Sequence, residues 1–260
     1  MQISDDAQRA IVRELRESGC VFAEDEADLL ITWSETMDEL HCRVARRVAG
    51  APLEHVLGWA DFYGLRIVVE PGVFVPRRRT EFLVHQALTV ADDGDIIVDL
   101  CCGSGAVGEA VMANRDRCQL SAVDLDPAAV RCARRNIGSK GQVYAGDLYN
   151  PLPEHLQGRI NVLVANAPYV PTQAIGMMPQ DARFYEPAAA LDGGRDGLDI
   201  QRRIVAEAPR WLAPGGYLLM ETSRSQAEYS ADMCLRRGLV PRIAISDDLD
   251  ATVIVARKET

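Results

Sequence analysis

The sequence has no long uninterrupted apolar run: none of its 260 residues falls in a stretch near the roughly 18 apolar residues that a membrane-spanning helix needs. Residues 1–6 carry two aspartates where a secretory signal has a basic region followed by an apolar one. We therefore expect neither a membrane span nor a signal peptide, and a soluble protein of the cell interior.

Disulfide and metal-binding patterns are missing as well. The seven cysteines form no C-x-x-C pair, two of them, Cys101 and Cys102, are adjacent, and the four histidines are scattered. An odd number of cysteines with this spacing is a poor disulfide framework, and it gives no support to a zinc site. We expect no bound metal, reduced thiols and a cytoplasmic location.

Positive charge is also in short supply. Lys and Arg number 28 against 38 Asp and Glu, which gives a formal net charge of −10. Such a surface neutralises phosphates poorly, so we expect no direct binding of duplex nucleic acid. The cluster Arg77–Arg79 is a local exception that is equally well interpreted as a solvated face. The expected partner is a protein or a small molecule.

What is present is the composition of a globular protein, with 48% hydrophobic and 25% charged residues. The length fits one large domain, or one domain with a small helper. Residues 4–48 place apolar side chains at helical spacings and predict two or three short helices. Residues 64–76 are rich in β-branched side chains, are interrupted by Pro71-Gly72, and predict a β-hairpin that joins the two parts.

From about residue 80 onward, short apolar runs alternate with helical patterns, which predicts a doubly wound α/β sheet with parallel strands. The predicted strands cover 96–100, 120–123, 142–145, 161–165 and 217–220. The predicted helices cover 106–114, 127–136 and 200–212. Asp126, followed by proline, is the predicted N-cap of the second helix. The runs 240–245 and 251–256 predict an antiparallel hairpin that closes the edge of the sheet.

The turn after the first of these strands opens a helix and contains Gly103 and Gly105. Glycines let the backbone approach a ligand closely, and the start of a helix offers free N–H groups. Asp99, at the end of the strand, is placed to meet a cation. The pattern is not G-x-G-x-x-G, so it gives little support to a dinucleotide. A tight turn without a ligand is the alternative interpretation.

The second strand ends at an acidic residue, Asp124, 19 positions after Gly105. A carboxylate at this place accepts hydrogen bonds from ribose hydroxyls in doubly wound folds, which makes Asp124 the ribose candidate. An exposed carboxylate without a ligand is the alternative. The loop 145–148, after the third strand, is a candidate to flank an adenine.

The loop after the fourth strand reads Asn166-Ala167-Pro168-Tyr169. The Asn166 side-chain oxygen and the carbonyl of Ala167 provide two acceptors without a general base. Such a pair can hold the two N–H groups of a planar amide or amino group, while the ring of Tyr169 packs against its face. An ordinary turn is the alternative interpretation of the tetrapeptide by itself. Its place after the fourth strand, behind the predicted nucleoside site, favours binding of such a planar group.

Taken in order, these segments resemble the class I S-adenosylmethionine-dependent methyltransferases, and among them the HemK-type glutamine-N5 methyltransferases that modify peptide chain release factors. The resemblance covers nearly the whole chain. Further motifs that carry it are PLEHVLG (52–58), FYGL (62–65), GVFVPR (72–77), TE (80–81), EP (186–187), ALDGGRDGLD (190–199), LAPGGYLLME (212–221) and Gln226. The Asp-Gly-Gly part of the sixth motif is hard to obtain from the general methyltransferase fold alone.

The resemblance implies a Rossmann-like, doubly wound, mostly parallel seven-stranded sheet. It also implies three parts: an N-terminal helical domain that recognises the substrate (1–58), a β-hairpin connector (59–79) and a catalytic domain that binds S-adenosylmethionine (80–260). The implied reaction is methylation of the side-chain amide of a protein glutamine, with a release factor as the partner.

Site residues follow from the same resemblance. The implied cofactor-binding residues are Asp99, Cys101, Cys102, Gly103, Ser104, Gly105, Asp124, Leu125, Asp147, Leu148 and Asn166. The implied catalytic residues are Asn166, Ala167, Pro168 and Tyr169, with Asn166 and the main chain of Ala167 binding the glutamine amide.

Three positions depart from the family pattern. Cys101 stands where the family usually has glycine; if its φ is positive, the side chain costs roughly 1 kcal/mol or more. Ala167 replaces the first proline of Asn-Pro-Pro-Tyr, which keeps the carbonyl acceptor and loses mainly rigidity, about 0.4–1 kcal/mol. Arg77-Arg78-Arg79-Thr80-Glu81 replaces Arg-Pro-Glu-Thr-Glu, so a base stands for an acid beside the expected active site.

Two alternatives stay open from the sequence. One is methylation of a different planar amino group, on another protein, a small metabolite or an adenine. The other is a cofactor-binding regulatory or scaffold protein in which the changes at Cys101 and Arg79 have ended catalysis.

Overall fold

The computed structural model describes residues 3–259, without the side chains of residues 180–182. The N-terminal part consists of four α-helices, α1 (Asp5–Glu17), α2 (Ala23–Thr32), α3 (Met37–Val48) and α4 (Leu53–Leu57). The hydroxyls of Ser4 and Thr36 cap α1 and α3 by accepting backbone N–H groups. The prediction of two or three short helices over 4–48 is confirmed.

These helices enclose an apolar cluster of their own, in which Leu15, Leu30 and Leu40 are fully buried. The helices of the chain are short: the longest, such as α1, have 13 residues. Within residues 3–259, none is long and apolar enough to cross a membrane.

The predicted hairpin is present but displaced. Its strands are β1 (Trp59–Phe62) and β2 (Leu65–Val68), so the prediction of a hairpin over 64–76 is wrong. The turn lies at Tyr63-Gly64, where φ is 51° and 75°. The tightest hairpin turn requires positive φ at both central residues, and this pair provides it, whereas the predicted Pro71 has its φ fixed at a negative value.

The rest of the chain forms a seven-stranded sheet covered by helices on both faces. Its strands are β3 (Ile96–Leu100), β4 (Gln119–Asp124), β5 (Gly141–Ala145), β6 (Ile160–Ala165), β7 (Leu212–Thr222), β8 (Leu239–Ser246) and β9 (Ala251–Lys258). The helices are α5 (Glu81–Leu88), α6 (Ala106–Ala113), α7 (Pro127–Ile137), α8 (Gln180–Tyr185), α9 (Asp199–Trp211) and α10 (Ala227–Arg236). The predicted strands and helices of this part are confirmed, as is Asp126 as the N-cap of α7.

The strand order is β5-β4-β3-β6-β7-β9-β8. The first five strands of this order are parallel, and β9 pairs antiparallel with both β7 and β8. The predicted C-terminal hairpin is therefore confirmed, with β8 at the edge and β9 inside the sheet. The chain order reverses at β3, so the carboxyl ends of β3, β4 and β6 open side by side, where doubly wound folds bind ligands.

Both faces of the sheet are buried. On β3, Ile97 packs into the cluster shared with α5, α6 and α7, while Val98 and Leu100 pack into the cluster shared with α9. Burial on both faces explains why the sequence shows apolar runs without polar alternation.

Candidate active site

A cavity of about 290 Å³ opens at the carboxyl ends of β3, β4, β5 and β6. The predicted site residues on its wall are Asp99, Cys101, Cys102, Gly103, Ser104, Asp124, Leu125, Asp147, Leu148, Asn166, Ala167, Pro168 and Tyr169. Gly105 is the exception, since it lies behind the turn against α7. A Cβ at Gly105 would lie 3.0 Å from Ile137 Cδ1 and 3.2 Å from Ala133 Cβ, so this glycine permits close packing of the turn.

The turn after β3 is left-handed at a residue that is not glycine. Cys101 has a φ of 57°, similar to the 55° of Gly103. At this φ a glycine would be free of strain, whereas the Cβ of a cysteine is strained. Burial raises the pKa of the thiols of Cys101 and Cys102 well above the usual value, so neither thiol is a thiolate nucleophile at neutral pH.

Asp124 ties the end of β4 to this turn. One carboxylate oxygen accepts the N–H of Gly103 at 2.8 Å, and the other accepts the N–H of Asp126 at 2.9 Å. Burial raises the pKa of Asp124 even though these two hydrogen bonds oppose it. Each carboxylate oxygen keeps a second lone pair, so Asp124 can still receive a hydroxyl donor. The role of Asp124 toward a ribose stays a prediction.

Asp99 is almost completely buried, with 1% of its surface exposed. Its Oδ2 accepts the N–H of Gly108 in α6 at 2.9 Å. Burial raises the pKa of Asp99 to about 7, and the neighbouring Asp124 adds to the rise while the Gly108 hydrogen bond opposes it. This carboxyl group therefore changes its charge near neutral pH.

The loop after β5 contributes a second strained residue. Leu148 is buried on the cavity wall with a φ of 50°, which is unusual for an apolar side chain. The neighbouring Asp147 forms an ion pair with Arg203 of α9. Cys101 and Leu148 are thus two residues on the cavity wall that have a left-handed backbone conformation without being glycine. Backbone strain of this kind is concentrated at functional sites.

The loop after β6 is held by its backbone against the segment 192–197. The N–H of Gly193 donates to the carbonyl of Val170 at 2.9 Å. A Cβ at Gly193 would lie 2.7 Å from the carbonyl oxygen of Pro168, which is closer than a side chain permits. The first glycine of this segment is therefore required by the approach of two backbones.

Gly197 makes a second close approach, to the carbonyl of Tyr169. A Cβ at Gly197, where φ is 78°, would collide with that oxygen and with the side chain of Gln226. Gln226 Nε2 donates to the carbonyl of Tyr169 at 3.0 Å and to that of Asp196 at 2.9 Å. Gln226 therefore connects the loop after β6 to the segment 192–197. Gly197 and Gln226 both belong to the motifs that carry the family resemblance, but neither was predicted as a site residue.

Thr80 orients the amide of Asn166. The Asn166 Nδ2 donates to the Thr80 Oγ1 at 3.2 Å, and Thr80 is 2% exposed. With the nitrogen engaged in this way, the side-chain oxygen of Asn166 is the atom left for a donor in the cavity. Thr80 is not among the residues predicted for the site, and its place in the TE motif (80–81) was the available signal.

Tyr169 and Arg79 share one carboxylate. The Tyr169 hydroxyl donates to Glu221 Oε1 at 3.0 Å, and Arg79 Nε donates to the same oxygen at 3.4 Å. Burial and the charge of Glu221 raise the pKa of Tyr169, so its hydroxyl stays protonated. Glu221 Oε2 is buried without a hydrogen-bond partner among the described residues. Glu221 ends the motif LAPGGYLLME (212–221), but it is not among the predicted site residues.

A metal centre has no candidate in the described part of the chain. No group of three or more His, Cys, Asp or Glu side chains there could hold an ion.

Comparison with known proteins identifies the family. Residues 64–194 match the family model described as the methyltransferase small domain. The release factor glutamine methyltransferase of Geobacter sulfurreducens is 40% identical over 202 residues, which cover 76% of this chain and 70% of that protein. That of Moorella thermoacetica is 34% identical over 248 residues, which cover 85% and 86%. The chain belongs to the release factor glutamine methyltransferase family.

A solved structure supports the same fold for this methyltransferase. The crystal structure of a methyltransferase from Pyrococcus furiosus matches 85% of this chain and 98% of its own length, with a TM-score of 0.58 and 16% identity. The predicted fold class and the resemblance to the family are both confirmed.

The cofactor of this family is S-adenosylmethionine, and the cavity fits it. Gly103 lets the turn approach a ligand closely, and Asp124 offers free lone pairs at the end of β4. Asp99 and Asp124 stand together at this end of the cavity, beside the ion pair of Asp147 and Arg203, and would favour the positive charge of a sulfonium. Which of these residues bind the cofactor stays a prediction.

The positive φ of Cys101 predicts that replacing this residue by glycine stabilises the protein, although glycine substitutions are usually destabilising. We expect Cys101→Gly to raise the free energy of unfolding by up to about 1 kcal/mol, because the relief of strain at positive φ exceeds the added chain entropy. The control, Cys118→Gly, removes a buried cysteine without positive φ and should lower that free energy by about 1–2 kcal/mol. Urea unfolding of both variants measures the contrast. Equal losses in the two variants would contradict strain at Cys101.

Burial of Asp99 predicts a pH-dependent stability. Because its pKa is raised from 3.8 to about 7 on folding, its contribution to stability is complete below pH 4 and is lost as the pH rises toward 7. Asp99→Asn removes this ionisation and keeps an acceptor for Gly108. Between pH 5 and pH 8, the unfolding free energy of Asp99→Asn should rise relative to wild type by about 1–3 kcal/mol. A constant difference in urea unfolding across this range would contradict the raised pKa.

The Thr80 hydrogen bond predicts a positioning role. Thr80→Val keeps the shape of the side chain but leaves the Asn166 N–H group without its acceptor, so kcat should fall about tenfold. Thr80→Ser restores the hydroxyl and should recover most of the loss. Calorimetric titration should give the same cofactor Kd for all three proteins. If the serine variant is as slow as the valine variant, the hydroxyl does not position Asn166.

Proposed function

We propose that this methyltransferase transfers a methyl group from S-adenosylmethionine to the side-chain amide nitrogen of a glutamine in a peptide chain release factor. The relatives at 40% and 34% identity are release factor glutamine methyltransferases. The observation that carries the proposal is the pair of acceptors, Asn166 and Ala167, on the wall of the cavity after β6. An amide NH2 group has two donors for such a pair.

The two acceptors address a chemical difficulty. An amide nitrogen is a poor nucleophile because its lone pair is delocalised into the carbonyl. When the Asn166 side-chain oxygen and the Ala167 carbonyl accept both N–H groups in a tetrahedral-like arrangement, the lone pair is favoured to localise on nitrogen. Bound S-adenosylmethionine supplies an activated methyl group on a sulfonium.

Other residues of the chain hold the substrate amide in place and do not transfer protons. The ring of Tyr169 forms a wall beside the amide, and its hydroxyl is fixed by Glu221. Pro168 fixes the direction of the loop between Ala167 and Tyr169. Holding the amide in line with the methyl group supplies proximity and orientation. No strong base is needed before transfer, since the proton can leave the nitrogen afterwards.

The helices of residues 1–58 are the proposed grip for the release factor, the hairpin region 59–79 the connector, and residues 80–260 the catalytic part. The separate apolar cluster of the N-terminal helices supports this division. We propose a cytoplasmic location, because release factors act where proteins are synthesised. The free state of all seven cysteines agrees with it.

A different acceptor is the second candidate, because Arg79 replaces an acid beside the site. Incubation with radiolabelled S-adenosylmethionine and purified release factors, in parallel with whole-cell extract, distinguishes the candidates. Labelled release factor supports the first proposal. Label in another species alone supports the second. Cofactor binding without any labelling contradicts both and indicates an inactive protein.

The pair of hydrogen-bond acceptors predicts a large loss of turnover when Asn166 is replaced. Asn166→Ala removes one of the two acceptors and should lower kcat by on the order of 10²-fold or more, with nearly unchanged cofactor affinity. Asn114→Ala, at an exposed asparagine after α6, is the matched control and should keep full turnover. Methyl transfer to a release factor and calorimetric titration measure the two quantities. Survival of turnover in Asn166→Ala would contradict the role of the loop.

A further inference from the structure

Arg79 is only partly engaged by the protein. Its side chain is 44% exposed, and its contact with the buried Glu221 is a single long hydrogen bond of 3.4 Å from Nε. The guanidinium also interacts with the hydroxyl of Tyr169. A guanidinium has five N–H donors, so these two neighbours leave part of the hydrogen-bonding capacity of Arg79 for a group at the rim of the cavity.

The other two arginines on the cavity wall have strong partners. Arg77 Nη2 lies 2.7 Å from both oxygens of Glu186, whose side chain is completely buried. Arg203 is paired with Asp147 beside the turn after β5. Arg79 therefore has the longest ion-pair contact of the three, and it is the arginine beside Asn166 and Tyr169.

Arg79 also lies beside the residues that are proposed to bind the molecule that is methylated. Its chain neighbour Thr80 holds the Asn166 amide, and its own guanidinium shares Glu221 with the hydroxyl of Tyr169. A group bound by Arg79 would thus belong to the acceptor molecule, close to the amide that is methylated.

Charge divides the cavity into two ends. Asp99, Asp124 and Asp147 lie at the end where the strands β3, β4 and β5 stop. Arg203 pairs with Asp147, and the carboxyl groups of Asp99 and Asp124 remain to disfavour a carboxylate and to favour a cation here. The end formed by Asn166 and Tyr169 has Arg79 at its rim. Glu221, the partner of Arg79, is only 2% exposed, so an anionic group at the rim would meet Arg79 first, whereas it would meet carboxyl groups at the other end.

We propose that Arg79 is a specificity-determining residue that selects acceptors with a carboxylate side chain close to the methylated glutamine. Nη1 and Nη2 of Arg79 donate to this carboxylate, while Nε stays with Glu221. The inference rests on the proposed methylation of a protein glutamine and names the class of segment that this protein prefers, an acidic one.

The test uses the full chain and a matched series of peptides. Each peptide has one glutamine, and its flanking residues are aspartate, serine or lysine in otherwise identical sequences. We expect kcat/KM of the wild type to be about 3- to 10-fold higher for the aspartate peptide than for the serine peptide, and lowest for the lysine peptide. The preference should weaken at high salt, because the charges lie at a solvent-exposed rim.

Three variants show whether Arg79 causes the preference. Arg79→Gln should bring the ratio of kcat/KM for the aspartate and serine peptides close to one. Arg79→Lys keeps the charge and should retain part of the preference. Arg78→Gln is the matched control, since Arg78 is exposed and lies outside the cavity wall; its activity and ratio should equal those of the wild type. Thermal unfolding verifies that each variant is folded.

The outcomes separate the inference from the function on which it rests. Equal kcat/KM for the aspartate and serine peptides with wild-type protein, a measurement that needs no variant, overturns the inference alone. A preference that survives in Arg79→Gln also overturns it. A weaker affinity of Arg79→Gln for S-adenosylmethionine, with an unchanged ratio, assigns Arg79 to the cofactor and overturns it too. Absence of methylation on every glutamine peptide and on release factors overturns the proposed function.

Discussion

The close approach of two backbone segments is the constraint on which this site depends. The loop after β6 and the segment 192–197 lie so near one another that Gly193 and Gly197 leave no room for a side chain. This contact fixes the carbonyl groups of Pro168 and Tyr169. Because the loop is rigid at its base, a hydrogen bond from Asn166 to Thr80 and another from Tyr169 to Glu221 suffice to hold the side chains that face the cavity.

Burial controls the electrostatics of the other end of the cavity. Asp99 and Asp124 end neighbouring strands, and both have raised pKa values because they are removed from water. Two such groups at the carboxyl ends of parallel strands would be better solvated elsewhere, and a cationic ligand would compensate them. The cost of burying the carboxyl groups and the attraction that they would exert on a cation are two consequences of the same placement.

The departures from the family pattern differ in their physical effect. Cys101 adds strain to a turn, since its φ of 57° is positive and it is not a glycine. Ala167 keeps the carbonyl group that the proposed reaction uses. Arg79 alone changes the charge next to the acceptor, and it does so at the rim, where a substitution leaves the buried groups in place. Variation in acceptor preference within this fold is therefore compatible with unchanged chemistry.

Local sequence patterns determined the framework of this protein. Apolar runs buried on both faces gave the parallel strands, and Asp126 followed by Pro127 gave the start of α7, because these signals act within one element. The same reasoning misplaced the hairpin, since the pattern of β-branched residues does not reveal which turn closes it. Tyr63-Gly64 closes it through positive φ at both residues.

The contacts that orient the site were decided by the tertiary structure. Thr80 and Asn166 are separated by 86 positions, and Arg79 and Glu221 by 142. No local preference records such pairs, because they exist only when α5 and the turn before it pack against the ends of β6 and β7. The sequence therefore determined which loops border the cavity. The packing of distant elements determined that Thr80 and Glu221 join them, and which atoms are left free to bind.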